Sequence, residues 1–164
     1  MENGEPRGDT MFSSMTAAYE ALPDGTKRKL GGRLAVNSYV HGYYRDRKSG
    51  PRRALSPEQM SQTPDVAHPV VRVHPETGRK CLFVNEGYTT RILDMDETES
   101  DALLAELFAH VKRPEFVYRH QWQVGDFLVW DNCSTQHRAV PDYALPQRRL
   151  MERTTLTGSR VIAA

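Results

Sequence analysis

The sequence predicts an α+β fold, and three stretches carry that prediction. Residues 70–74 and 80–85 are β-branched and aromatic runs joined by Pro75-Glu76-Thr77-Gly78, a turn sequence with glycine where a positive φ is best tolerated, so they form a hairpin. Leu103, Leu104, Leu107, Phe108 and Val111 make one apolar face of a helix. That helix opens at Thr98-Glu99-Ser100-Asp101, which reads as a capping box, and stops at Arg113-Pro114. Phe116, Tyr118, His120 and Trp122 alternate with Val117, Arg119 and Gln121, the period of a strand with one aromatic face.

The remaining elements follow in chain order. Met11, Met15, Ala18 and Leu22 recur at helical spacing, with Ser13 or Ser14 as the cap and Pro23-Asp24-Gly25 as the stop. A weaker helix over 26–34 contains Gly31-Gly32, which loosens its far end. Residues 41–65 are polar, rich in Gly, Pro and Ser, and carry Arg45, Arg47, Lys48, Arg52 and Arg53; they read as a long solvated surface loop or lid. After a turn at 123–126, Phe127-Leu128-Val129-Trp130 is a continuous apolar run and reads as a strand buried on both faces. A last strand over 148–156 finishes the fold.

Composition narrows the function classes. The chain has 164 residues, enough for one domain with a real core, so residues 1–164 are expected to be a single domain. A net charge of +1 gives no field to draw it to nucleic acid or to a membrane surface, and no stretch approaches the length of a membrane span. The polar N-terminus has no apolar targeting core, so a soluble cytoplasmic protein is expected. Cys81 and Cys133 match no metal-ligand spacing and read as small, partly buried thiols.

The residues that carry chemistry lie between Trp130 and Arg153. His137 follows a predicted buried strand and is well placed to face a pocket. If 148–156 is a strand, Arg149 and Arg153 share one face and start about 13 Å apart at ~3.3 Å per residue. Arginine suits bidentate capture of carboxylates, so the pair suggests a site for two small anions. The other reading places both on the solvent face of an outer strand, and spacing alone leaves the two open.

The ordered set Gly8-Asp9-Thr10, the helix Ala17-Ala18-Tyr19-Glu20-Ala21-Leu22, His68-Pro69-Val70-Val71-Arg72 with His74-Pro75, Phe83-Val84-Asn85-Glu86 with Thr89-Thr90-Arg91, Trp130-Asp131-Asn132 and Arg148-Arg149 resembles the C-terminal part of the taurine dioxygenase and 2,4-dichlorophenoxyacetate dioxygenase family. The resemblance covers nearly the whole chain. It implies a partial double-stranded β-helix, a jelly roll of the clavaminate-synthase-like kind with flanking helices. It also implies Fe(II) and 2-oxoglutarate, with molecular oxygen, in hydroxylation of a small anionic substrate such as a sulfonate or carboxylate. Carried over by residue, His137 matches the distal histidine of the iron triad, Arg149 the arginine that pairs with 2-oxoglutarate, and Thr10 the threonine that assists it. Arg153 matches the arginine on the substrate's anionic group, and Tyr88 a substrate-pocket aromatic.

One departure qualifies the resemblance. The His-x-Asp pair that completes the family's iron triad lies upstream of Gly8-Asp9-Thr10 and here would fall before Met1. The expectation is therefore an N-terminally truncated domain whose activity alone is doubtful, with unpaired strand edges that favour self-association. His74-Pro75-Glu76 imitates the pair but belongs to the hairpin turn, and His120 reads as a packed side chain on its aromatic strand face. The alternative function is a non-catalytic remnant or small-anion-binding module.

Overall fold

The computed structural model describes residues 8–45, 54–143 and 150–164. In chain order come strand β1 (Thr10–Ser14), helices α1 (Met15–Glu20) and α2 (Asp24–Leu30), strand β2 (Leu34–Asn37), and helices α3 (Tyr39–Arg45) and α4 (Pro57–Ser61). Strands β3 (Val66–Pro69), β4 (Val71–Val73), β5 (Lys80–Leu82) and β6 (Thr89–Ile92) precede the long helix α5 (Glu97–His110). A 3-10 turn at Pro114–Phe116 leads into β7 (Val117–His120), β8 (Thr135–Ala139) and β9 (Ile162–Ala163). Among the described residues every ladder is antiparallel, in three sheets ordered β7-β1-β8, β3-β2-β6 and β5-β4-β9.

The hairpin forms where its sequence places it. Val71, Arg72 and Val73 pair with Leu82, Cys81 and Lys80, and Gly78 takes a φ of 67° in the connecting turn, a conformation that side chains with a Cβ resist. Helix α5 buries Leu103, Leu104 and Leu107, with Val111 at its C-cap, against Met15, Ala18, Leu30, Leu82, Val84 and Ile92. Each buried leucine contributes about 2 kcal/mol of transfer free energy. The buried Ser100 hydroxyl accepts the Ile92 N–H at 2.8 Å, which joins α5 to β6 where an apolar side chain would leave that donor unpaired.

Several local expectations give way to tertiary context. The helix expected to start at Met11 begins at Met15, because residues 10–14 bond to strands on both sides and become the middle of a sheet. Ser14 caps the shortened helix by accepting the Ala17 N–H. The second helix spans Asp24–Leu30 and ends at the two glycines, Gly32 at a φ of 70°; Leu34 opens strand β2 instead of closing a helix. The expected loop over 41–65 contains most of α3 and all of α4, the latter with a capping box between Ser56 and Gln59, while Arg47, Lys48, Arg52 and Arg53 lie outside the described residues. The cap of α5 is Asp96, whose carboxylate accepts the Thr98 and Glu99 N–H groups, and not Thr98.

Two expected strands are absent from the described residues. Residues 127–130 form no ladder, and Phe127 and Val129 are 90% and 77% exposed where burial on both faces is expected. An apolar run becomes a buried strand only where a neighbouring strand takes its backbone hydrogen bonds, and no described strand pairs with this one. Residues 150–160 are likewise irregular and exposed, and the C-terminal pairing comes later, where Ile162 and Ala163 add to β4.

Candidate metal and anion site

The register around β1 decides which side chains meet. Phe12 stands opposite His137 on one side and Tyr118 on the other; Thr10 stands opposite Ala139 and His120. Directly paired residues share a face and residues two apart along a strand do too, so Thr10, Phe12, Tyr118, His120 and His137 project from one side of the sheet. Thr10 is buried, and its hydroxyl accepts the Trp122 indole N–H at 2.9 Å. His120 packs edge-on against Trp122, ring centres 4.5 Å apart, and its Nε2 meets Asp126 at 3.0 Å, so it is a packed, partnered histidine.

His137 is walled on one side by aromatic rings and open on the other. Its ring centre lies 5.0 Å from Trp130 and 6.1 Å from Phe12, and those two rings lie 5.3 Å apart. Burial on the aromatic side, then the Arg153 charge, push this imidazole below its usual range. A neutral ring keeps a nitrogen lone pair for a metal ion.

Arg153 is therefore close enough to act on His137 electrostatically, but from an exposed irregular segment rather than from a strand. The strand expected to carry Arg153 is not formed: no strand spans residues 150–156, and Arg149, expected to share its face, lies outside the described residues. Tyr88 sits in the turn entering β6, 46% exposed, with its backbone bonded to Ser38 and Asn85. Its ring lies against Gly42 of α3 so closely that a Cβ there would come within 2.5 Å.

Three supports of the site escape a linear reading. The first is Phe12, hidden by the helical spacing of Met11 and Met15; Thr10-Met11-Phe12-Ser13-Ser14 carries no polar–apolar alternation to mark it as a strand. The second is the back of the sheet, where Arg119 bonds Asp9 at 2.6 Å and Asp142 at 3.3 Å, and Asp142 accepts the Gly8 N–H at 2.6 Å. These contacts tie the loop that follows β8 to the start of β1. The third is the turn before β8, where Asp131 bonds Cys133, Ser134 and His74. Burial alone would raise the Asp131 carboxyl, yet the Cys133 N–H, His74 and the Ser134 hydroxyl outweigh it and hold the group down at about 2.

Among the described residues no group of three or more His, Cys, Asp or Glu side chains is placed to hold a metal. His137 fits one position of such a centre by its neutral nitrogen and open side, and the described residues do not complete the rest. Two shallow polar depressions, at Tyr118, His120 and Asp126 and at Arg28, Arg33 and Asp94, do not include it.

A sheet that presents a threonine and a neutral histidine on one face, with an arginine charge nearby, now has a sequence context: the model of the taurine catabolism dioxygenase TauD, TfdA family matches residues 2–155. The chain belongs to this family. It is 39% identical over 162 residues to an alkylsulfatase of Acinetobacter baylyi, across 94% of this chain and 49% of that protein. It is 37% identical over 153 residues to an alpha-ketoglutarate-dependent 2,4-dichlorophenoxyacetate dioxygenase of a Burkholderia species, across 93% of this chain and 50% of that one. The crystal structure of AAD-2 in complex with Mn(II) and N-oxalylglycine superposes with a TM-score of 0.70 at 34% identity, covering 82% of this chain and 51% of that one. The chain thus spans about half the length of the curated TauD/TfdA relatives it matches. Its mixture of helices and antiparallel sheets is the shared architecture, and among the described residues no helix is long and apolar enough to cross a membrane.

Proposed function

We propose that this chain is the His137-bearing part of a jelly-roll dioxygenase domain that uses Fe(II), 2-oxoglutarate and molecular oxygen to hydroxylate a small anionic substrate. The observation that carries the reading is the placement of His137: a neutral imidazole on the same sheet face as Thr10, within reach of the Arg153 charge, in a chain that matches the TauD/TfdA family over residues 2–155. His137 supplies one nitrogen ligand. Thr10 and Arg149 bind 2-oxoglutarate, Arg153 takes the anionic group of the substrate, and Tyr88 lines its pocket. Iron, when bound, supplies the oxidising chemistry that couples decarboxylation of 2-oxoglutarate to hydroxylation.

The chain's own residues have three tasks on this reading. The Phe12–Trp130 wall excludes water from one side of the imidazole and keeps it neutral. Arg153 adds positive charge where an anionic substrate must dock, and Thr10 offers a hydroxyl held in place by Trp122. The N-oxalylglycine held by AAD-2 differs from 2-oxoglutarate by an NH in place of a methylene, which supports a dicarboxylate as the cosubstrate of this chain. The names of the relatives, an alkylsulfatase and a 2,4-dichlorophenoxyacetate dioxygenase, support a sulfate ester, sulfonate or carboxylate as its substrate class.

A second reading, a small-anion-binding module without catalysis, is favoured by the lack of a complete metal-binding group among the described residues. Anaerobic calorimetry with Fe(II) and 2-oxoglutarate separates the two. Iron binding lost in His137→Ala, with 2-oxoglutarate binding lost in Arg149→Ala, supports the dioxygenase reading. Binding of 2-oxoglutarate that ignores iron and survives His137→Ala supports the module, and no binding of either ligand sinks both.

A further inference from the structure

Asp131 occupies the turn between Trp130 and β8, and both of its oxygens are engaged. Oδ1 accepts the Cys133 backbone N–H at 2.7 Å; Oδ2 accepts the Ser134 hydroxyl at 3.0 Å and meets Nε2 of His74 at 2.5 Å. The tautomer of His74 follows from its other nitrogen. Nδ1 faces the backbone N–H groups of Glu76 and Thr77, each at 3.2 Å, and accepts from them, which leaves the proton on Nε2 to be donated to Asp131. The ring is held by its own turn, in which the His74 N–H bonds the Arg79 carbonyl at 2.8 Å and the Gly78 N–H bonds the His74 carbonyl at 3.0 Å.

On the far side of Asp131, Trp130 packs against His137 and Phe12, and its indole N–H bonds Asn132 Oδ1 at 2.9 Å within the same turn. The stretch leading into Trp130, residues 127–129, makes no strand ladder among the described residues, so no strand pairing immediately before it fixes where the indole lies. The contacts run without a break from the β4–β5 hairpin through Asp131 to Trp130 and end on the imidazole of His137.

We propose that His74 is a positioning residue: its hydrogen bond to Asp131 holds the 130–134 turn where Trp130 packs at a tilt against His137 and thereby sets the direction in which that imidazole presents its nitrogen. The functional meaning of this clamp rests on the reading of His137 as a metal ligand, although the clamp itself does not. A ligand whose ring is free to turn loses affinity, and orienting contacts of this kind are worth roughly 10- to 100-fold in metal binding.

The sharpest perturbation is Asp131→Asn. The new Oδ1 still accepts from Cys133, and the Ser134 hydroxyl can accept from the new Nδ2, but Nδ2 faces the Nε2 proton of His74 donor to donor. A switch of tautomer would relieve that clash only by aiming a proton at the two backbone N–H groups on Nδ1. The measurement is the set of NMR cross peaks between the Trp130 and His137 rings, with the Arg72–Cys81 cross-strand peaks as the check that the hairpin is folded. We expect the ring peaks in the wild type, in Thr77→Ala and in His74→Gln, whose amide can donate to Asp131, and their loss in Asp131→Asn and His74→Ala. Ring peaks that persist in Asp131→Asn and His74→Ala, or that vanish equally in Thr77→Ala, overturn the clamp. Co(II) titration tests the other premise: a roughly tenfold weaker affinity in Asp131→Asn agrees with it. A wild type with no His137-dependent Co(II) binding overturns the ligand reading, while the ring peaks still judge the clamp.

Discussion

Replacing Arg119 with methionine should be among the most damaging single changes outside the core. Asp9 is 1% exposed, its Oδ1 has no hydrogen-bond partner among the described residues, and its Oδ2 is bonded by Arg119 Nε at 2.6 Å. Methionine keeps the aliphatic stem of the side chain and removes both donors, leaving the buried carboxylate without the Arg119 cation. Removing one partner of a buried pair costs about 3–5 kcal/mol. Arg119 itself is about half exposed, 49%, so solvent already screens part of the interaction and about 2–3 kcal/mol is the better expectation. With a urea slope of about 2 kcal/mol per molar, the unfolding midpoint should fall by roughly 1–1.5 M. Tryptophan fluorescence during urea unfolding reads it directly. In an Asp9→Asn background the same change should cost less, with a coupling of at least about 1 kcal/mol, because the uncompensated charge is gone. A midpoint shift under about 0.3 M, or an equal cost in the Asp9→Asn background, would refute the reasoning.

Other predictions follow from single features. The His137 imidazole, held below its usual 6.5, should titrate below that value by NMR, and Arg153→Ala should move the midpoint only part of the way back, since burial is the larger cause. Because its folded value is depressed, the stability linked to His137 is complete above about pH 6.5 and is lost as pH falls through the folded midpoint; a midpoint at or above 6.5 contradicts the aromatic wall. Gly42→Ala would drive a Cβ within 2.5 Å of the Tyr88 ring, so it should cost roughly 1–3 kcal/mol and displace that ring, seen as altered Tyr88 ring resonances together with a lower melting temperature. Phe127, Val129, Leu150 and Leu156 stand 77–90% exposed, which supports self-association. Sedimentation should show concentration-dependent association that the double change Phe127→Ser and Val129→Ser weakens; a monomer at all concentrations would count against a cohesive surface.

How much of this was legible in the sequence depended on how local the signal was. The β4–β5 hairpin rests on β-branched runs around a glycine turn, and the apolar face of α5 rests on five apolar positions at helical spacing; each is decided within about fifteen residues and each is present in the structure. The family was legible for a related reason: motifs in fixed order survive without knowledge of their contacts, and the match over residues 2–155 agrees with them. Residues 11–14 fit a helix by local spacing alone; the bonds that make them a strand come from β7 and β8, more than a hundred residues away.

Residue type and spacing pointed to His137 and Arg153, and the family resemblance to Thr10, but only packing shows how His137 and Thr10 are held. Phe12 reaches His137 by cross-strand register, Trp130 by a turn that Asp131 ties to a hairpin 57 residues earlier, and Asp9 finds Arg119 110 residues away. The apolar run at 127–130 makes the same point in reverse. Its composition is that of a buried strand, yet burial is not a property of four residues; it requires a neighbouring strand to take their backbone hydrogen bonds, and no described strand pairs with them. Local pattern therefore sets which elements can form and which residues can do chemistry, while long-range pairing decides which of them are covered, oriented and kept neutral.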